Sequence, residues 1–310
     1  MGMSLNNIFV SGSLAYDRIM DFPGKFEDHI LPEKIHILNV CFMVNGLQEK
    51  FGGTAGNIAY NLALLEEKPI ILAAAGKDFD SYQEWLEKHD LPLDGIRAID
   101  QEFTAGAYIT TDMGRNQITG FNPGAMNYPS QYEFDGVNPQ QSLAIISPGN
   151  LDDMVAYSRK YKEMGVSYIC DPGQSIPALT GEQLMEMIDG SRLLITNDYE
   201  LELIMQPAGM TVQDILEHTP TVITTLGEKG AMVCHPDGDD FIPVTPPACV
   251  EDPTGAGDAF RAGLIKGLID GKDLLQAAQM GSVSASFAVE QYGTQEHSYT
   301  LAQYWERFDA

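Results

Sequence analysis

The run Asp252-Pro-Thr-Gly-Ala-Gly-Asp258 holds the residues of this chain best suited to chemistry. Gly255 and Gly257 permit tight backbone turns and let N–H groups face a ligand with no Cβ in the way. The segment then opens an apolar helix through Ala259, Phe260, Leu264 and Ile265. A helix N-terminus offers unpaired N–H donors and the positive end of a dipole, which suits a phosphate group. A carboxylate at that spot repels phosphate. Asp258 makes sense there if it accepts a proton from an attacking hydroxyl while neighbouring amides stabilise the transferring phosphoryl group. An isolated Asp after glycine reads as a helix cap. The whole run, with a long apolar helix behind it, favours catalysis.

Asp252–Gly263, DPTGAGDAFRAG, resembles the C-terminal signature of the PfkB carbohydrate kinases, the group containing ribokinase, fructokinase and adenosine kinase. Phe51-Gly-Gly-Thr-Ala-Gly-Asn-Ile-Ala-Tyr-Asn-Leu-Ala63 is similar to the family's N-terminal signature, in the expected order, and the resemblance covers essentially the whole chain. It implies that Asp258 is the general base and that the amides of Gly255, Ala256 and Gly257 form an anion hole. Gly12-Ser-Leu-Ala-Tyr-Asp17 matches the family's first strand, so Asp17, just past a strand end, is expected to accept hydrogen bonds from two ribose hydroxyls. Gly52 and Gly53 would let backbone approach the sugar, and Asn57 would offer its amide to a ribose hydroxyl. Asn197-Asp-Tyr-Glu200 resembles the family's NxxE motif, with Asn197 and Glu200 organising magnesium and phosphate largely through water. Thr225-Leu-Gly-Glu-Lys-Gly230 resembles its nucleotide-binding turn, which assigns Thr225 and Gly227 to ATP, and Ser282 falls near the adenine pocket. ATP and Mg²⁺ are therefore implied. A monovalent cation is left open, because Pro253 stands where many relatives carry Thr and the path of that loop is not set by the resemblance.

The substrate reading follows from departures within the pattern. Ribokinase-like members often carry a lysine in the GG…N signature, where Thr54-Ala-Gly56 stands here. His36-Ile-Leu-Asn39 and Asn116–Met126 resemble the bacterial and archaeal adenosine/nucleoside kinase branch. A nucleoside needs an apolar, aromatic slot for its base beside a polar ribose site, and Phe42, Ile118, Phe121 and Met126 are candidates. The implied reaction is ATP-dependent phosphorylation of the 5′-hydroxyl of a purine nucleoside, adenosine first, then inosine and guanosine. The alternatives are a kinase of a free sugar such as ribose or fructose, and a non-catalytic nucleoside sensor on the same scaffold. No GxGxxG follows the first strand and no GxxxxGK[ST] is present, which speaks against a Rossmann dehydrogenase and a Walker-type ATPase.

These residues need a scaffold that brings distant segments to one edge. Strand patterns occupy Ile8–Ser13, Pro69–Ala75, Leu143–Ser147, Tyr168–Cys170, Leu193–Thr196 and Val222–Thr225, with a hairpin at Ala231–His235 and Asp240–Val244. Helical spacing recurs after Asn57 and over Tyr82–Lys88, Asp152–Met164, Gly181–Ile188, Tyr199–Met205, Gly257–Leu268, Leu274–Val289 and Leu301–Phe308. Pro253 is placed to stop a strand before it. Strands alternating with helices predict a three-layer α/β/α sandwich around a mostly parallel sheet, ribokinase-like in the resemblance. Residues 15–50, with an extended-looking Ile35–Val44, and the hairpin at 103–121 break that rhythm. They read as a small discontinuous β lid on a single kinase domain spanning 1–310.

Composition bounds the rest. The 310 residues carry 18 Lys+Arg against 44 Asp+Glu, a net charge of −26. Nucleic-acid polymers and anionic membranes need basic patches, so neither is expected as a partner. Hydrophobic (44%) and charged (20%) shares are those of a folded globular protein. The opening MGMSLNNIFV has no basic n-region, and no apolar run approaches a membrane span, which makes the cytoplasm the default. Four scattered cysteines lack CxxC spacing and six histidines lack HExxH, so neither a disulfide framework nor a metal site is assigned to them. Monomer and homodimer are both compatible with the sequence.

Overall fold

Side chains of the first strand, β1 (Asn7–Ser11), alternate between two cores: Ile8 and Val10 pack on one side and Phe9 on the other, all buried. A strand apolar on both faces must be covered on both. The computed structural model describes residues 7–310, and the positions before Asn7, read above for a targeting signal, lie outside the described residues. It sets β1 in a nine-stranded sheet with β4 (Ile70–Gly76), β5 (Ile96–Ile99), β8 (Ser142–Ile146), β9 (Ser167–Cys170), β10 (Leu193–Asn197), β11 (Val222–Thr225), β12 (Ala231–His235) and β13 (Gly238–Ile242). The order is β13-β12-β11-β10-β9-β8-β1-β4-β5. All pairings from β11 to β5 are parallel, and the β12–β13 hairpin adds an antiparallel edge.

The Val10 face is covered by α1 (Thr54–Leu64), α2 (Asp80–Lys88), α7 (Ala256–Ile269) and α8 (Leu274–Ala288), which bury Ile58, Leu86, Leu264 and Ala277 there. The Phe9 face is covered by α3 (Leu151–Met164), α4 (Gly181–Ile188), α5 (Asp198–Ala208) and α6 (Val212–Leu216), through Tyr161, Met187, Leu201 and Ile215. α9 (Leu301–Asp309) packs Tyr304 beside Met280 of α8. This is the α/β/α sandwich the strand–helix rhythm predicts. Among the described residues no helix is long and apolar enough to cross a membrane.

The chain builds β4 and β5 on one side of β1, then returns to lay β8 on the other. The loops leaving β1 and β8 therefore diverge, and an open parallel sheet binds ligands in the crevice outside the carboxyl ends at such a point. A second sheet, order β3-β2-β6-β7, comes from two separate stretches: β2 (Ala15–Asp21), β3 (Asn45–Gly52), β6 (Ala105–Thr111) and β7 (Gln117–Asn122). Two of its pairings are antiparallel and β2–β6 is parallel. Its register puts Asp17, Ala107 and Phe121 in one row.

Several segments differ from the sequence expectation. Ile35–Val44 is not a strand. A 3₁₀ helix covers Pro32–Ile37 and the strand is the following Asn45–Gly52, a polar edge whose extension comes from pairing with β2 rather than from apolar alternation. Asp17 lies inside β2, not past a strand end. β5 and α6 are too short to announce themselves by periodicity. No strand precedes Pro253, because β13 ends at Ile242 and the connection is irregular.

The excess of 26 acidic groups has no basic partner to take, so self-repulsion opposes the compact state and salt screens it. Raising ionic strength from about 10 mM to about 1 M, where the Debye length falls from ~30 to ~3 Å, is expected to raise the melting temperature. Scanning fluorimetry in choline chloride and in KCl checks this; a flat or falling Tm in both salts contradicts it.

Candidate active site

Parallel strands deliver their carboxyl ends to one edge, and the loops there carry the polar residues. Ser13 follows β1, Pro148 follows β8, Asp171 follows β9, Asn197 closes β10 and Thr225 closes β11. All five line a central cleft of about 660 Å³, together with Asp17, Gly53, Asn57 and Asp258. Two further cavities adjoin it. One, about 470 Å³ and mostly apolar, shares Thr225, Gly227 and Gly257 with the cleft and is lined by Ile242, Val250 and Phe260. The other, about 680 Å³, shares Phe121, Pro148 and Gln174 and includes Met126 and Asn150.

Asp258 sits in the first turn of α7. Gly255 turns the chain into that helix with φ of 80°, and a Cβ there would meet Thr294 at 3.0 Å. The N–H of Ala256 bends back to the Pro253 carbonyl at 3.3 Å. Of the three amides expected to form the anion hole, those of Gly255 and Gly257 therefore face the cleft without a partner among the described residues, and Ala256 does not join them. The N–H of Asp258 itself likewise has no partner among the described residues. This is the donor-rich turn a phosphoryl group requires.

Burial pushes the Asp258 carboxyl up to about 7, and the charges of Asp171 and Glu200 act the same way. The Arg261 guanidinium and a hydrogen bond from Asn57 oppose the rise. Asn57 Nδ2 donates to Asp258 Oδ2 at 2.8 Å, so the amide expected to serve the ribose also serves the base. Arg261, one helical turn beyond Asp258, is buried and grips Asp171 with two N–H groups, Nη2 lying 2.6 Å from Oδ1, while Nη1 donates to the Gly257 carbonyl at 3.0 Å. The bidentate geometry suits guanidinium and carboxylate, and each neutralises a charge that burial would otherwise penalise.

The remaining candidates divide. Asp17 faces the cleft, its carboxyl raised by burial and then by Asp252. Gly52 does not line the cleft; it leaves room for Asp17, whose Oδ2 would lie 2.8 Å from a Cβ at that position. Asn197 and Glu200 form a capping box on α5. Glu200 N–H donates to Asn197 Oδ1 at 2.7 Å, and Asn197 N–H to Glu200 Oε2 at 2.8 Å. Both still line the cleft. Thr225 Oγ1 donates to the Thr196 carbonyl, and Gly227 borders two cavities. Ser282 Oγ accepts from Thr245 N–H and donates to the Pro243 carbonyl, so its hydroxyl ties down a loop of the apolar cavity rather than awaiting a ligand. Ile118 lies three residues from Phe121 on β7, hence on the other face, and lines none of these three cavities. Phe42 packs on Phe22 and Phe26, at 4.8 and 5.1 Å between ring centroids.

Among the described residues no three His, Cys, Asp or Glu side chains converge on a metal position. A single carboxylate already half committed to a cap, Glu200, fits a magnesium ion that keeps its water and takes most ligands from phosphate. The sequence reading missed Arg261 and Asp171. The signal for Arg261 was present as the one charge among Phe260, Ala262, Gly263 and Leu264; nothing local identified its partner across the sheet.

Comparison with known proteins shows the family. The family model described as pfkB family carbohydrate kinase matches residues 28–301. The chain is 30% identical to the nucleoside kinase of Methanocaldococcus jannaschii, covering 100% of this chain and 99% of that one. The nucleoside kinase of Burkholderia thailandensis in complex with inosine superposes with a TM-score of 0.85 at 35% identity, covering 97% of each chain. Its complex with ADP-inosine gives 0.83 at 36%, covering 97% of this chain and 95% of that one. The chain belongs to the pfkB carbohydrate kinase family, has the ribokinase-like fold and is a phosphotransferase.

Two stability effects follow from the buried charges. A native carboxyl raised to about 7 from an ordinary 3.8 means the folded state binds the extra proton between those values, so its stabilising effect is lost as pH rises through 7. Asp258→Asn is therefore expected to raise Tm at pH 8 and to give little gain at pH 5; equal shifts at both would contradict the burial argument. Arg261→Met strands Asp171 and is expected to cost about 3–5 kcal/mol in chemical denaturation.

Proposed function

From membership of the pfkB family, we propose that the chain transfers the γ-phosphoryl group of ATP to the 5′-hydroxyl of a purine nucleoside, adenosine first. The observation that carries this reading is the row of three joined cavities with Asp258 and the free amides of Gly255 and Gly257 in the middle one. The apolar cavity suits an adenine ring, and Thr225 and Gly227 lead from it towards the central cleft. The outer cavity, walled by Phe121 and Met126, suits a second base. A free sugar would leave that outer space unused, which favours a nucleoside over ribose or fructose. The relatives named above are nucleoside kinases, one of them in complexes with inosine and with ADP-inosine.

In this reading Asp17 from the second sheet and Gly53 at the start of α1 hold the ribose while Asp258 approaches from α7. Asp258 accepts the 5′-hydroxyl proton as that oxygen bonds to the γ-phosphorus, and the bond to the β-phosphate oxygen breaks with its electron pair leaving on ADP. The amides of Gly255 and Gly257 donate to the transferring group. Magnesium, bound with the nucleotide, supplies charge neutralisation, and Glu200 and Asn197 would hold its water shell. The second sheet acts as the lid of a single kinase unit, and its row of Asp17, Ala107 and Phe121 shuts water out.

Asp258→Asn is expected to lower kcat by roughly 10²–10⁴-fold while calorimetry still registers adenosine binding. Undiminished turnover removes the base assignment. Turnover on ribose or fructose but not on adenosine or inosine removes the nucleoside. Because the base must be ionised, kcat/KM of the native chain is expected to rise with pH through about 7; a limb confined below pH 5 speaks against a buried base.

A further inference from the structure

Behind Asp258 runs a line of hydrogen bonds that no part of the proposed chemistry uses. Asn57, which donates to Asp258, accepts at its Oδ1 from Gln295 Nε2 at 3.0 Å. The same Nε2 donates to the Tyr82 hydroxyl oxygen at 2.7 Å, and that hydroxyl donates onward to the Gly52 carbonyl at 2.7 Å. Gln295 Oε1 accepts from the indole N–H of Trp85 at 2.9 Å. Gln295 and Tyr82 are buried, as is Asn57. Gly56 leaves the space: a Cβ there would lie 2.0 Å from the Tyr82 oxygen and 3.1 Å from Gln295 Nε2.

The direction of this line is dictated by its far end. An indole nitrogen only donates, so it holds the oxygen end of the Gln295 amide and turns the nitrogen end towards Asn57. The Asn57 oxygen then has its donor, and only its NH₂ is left to face Asp258. An Asn57 turned the other way would set a carbonyl against the carboxylate. We propose that Gln295, oriented by Trp85, is a positioning residue that keeps the Asn57 N–H on Asp258 and so favours the ionised base. The proposal rests on the reading of Asp258 as the base.

Asp258 also faces Arg261 on its own helix, Asp171 beyond β9, Glu200 on α5 and Tyr82 on α2. Gln295→Met and Trp85→Phe leave the three charged groups untouched; Gln295→Met also removes the donor to the Tyr82 hydroxyl, which keeps its own bond to the Gly52 carbonyl, and a phenyl ring at 85 preserves stacking on Phe51 and Tyr60. In Gln295→Met the acid limb of kcat/KM is expected to move up by about one pH unit, equivalent to a roughly tenfold loss of ionised base well below the midpoint. Trp85→Phe is expected to move it the same way by less. Gln295→Glu, which offers Asn57 a second acceptor and invites it to turn round, is expected to move it furthest. A merely structural Gln295 would lower Tm and the active fraction but leave the limb where it was; an unmoved limb in Gln295→Met and Trp85→Phe overturns the proposal. If Gln295→Met does not fold, Trp85→Phe alone decides by the same criterion. Carbon-13 NMR titration of the Asp258 carboxyl in the same variants separates the two claims. Should Asp258→Asn keep its turnover, the base reading fails, yet an Asp258 titration that shifts in the Gln295 variants still supports the relay, and one that does not shift rejects it.

Discussion

A carboxylate withdrawn from water resists ionisation, and the arrangement around Asp258 answers that single constraint. Burial and the nearby acids Asp171 and Glu200 drive the proton on; Arg261 and Asn57 drive it off, and the balance lies near neutrality. In the proposed reaction, a base poised there would combine an available ionised form with enough basicity to take an alcohol proton. Each opposing group needs support of its own. Arg261 is buried and is sustained by Asp171 from the end of β9. Asn57 is held by a residue from the C-terminal segment. One proton acceptor thus draws together α1, α7, a central strand and a loop near the chain's end.

Geometry makes this concentration attainable. Parallel strands end at one edge, so Asp171, Asn197 and Thr225, each following a different strand, arrive side by side. The reversal of strand order between β1 and β8 opens the crevice there. The second sheet stands across it, and its register places an acid, a small residue and an aromatic in one row facing the cleft. The large cavities extend to either side, one apolar and one edged by Phe121 and Met126.

The net charge of −26 does not prevent such a site from holding a polyphosphate. At physiological salt, charges beyond about 8 Å are largely screened. The cleft itself carries the carboxylates of Asp17, Glu200 and Asp258, and the Arg261 charge is paired with Asp171. What favours an anion at contact distance is therefore the backbone amides of Gly255 and Gly257, which have no partner among the described residues. The same excess acts over the whole surface on stability instead.

Local patterns carried much of this protein. Short continuous apolar runs marked the buried strands, because a strand covered on both faces must be apolar on both. The glycine spacing of Asp252–Asp258 and Phe51–Asn57 marked two turns that border the cleft, because few other residues allow such backbone. Their resemblance to a known family named the chemistry. What local sequence left undecided were features whose stability comes from a partner far along the chain. β3 is extended because β2 pairs with it. Ile118 and Phe121 look equally suited to a base pocket until sheet register assigns them opposite faces. The Ala256 amide turns back to Pro253, and the Ser282 hydroxyl goes to a neighbouring loop. Arg261 finds Asp171, and Gln295 finds Asn57, across gaps of 90 and 238 positions. A hydrogen bond or ion pair forms wherever folding brings two groups within reach, and no periodicity records it. Residue type and spacing decided which chemistry the chain could attempt; only the packed structure decided which groups hold the buried Asp258 carboxyl and which merely hold the fold.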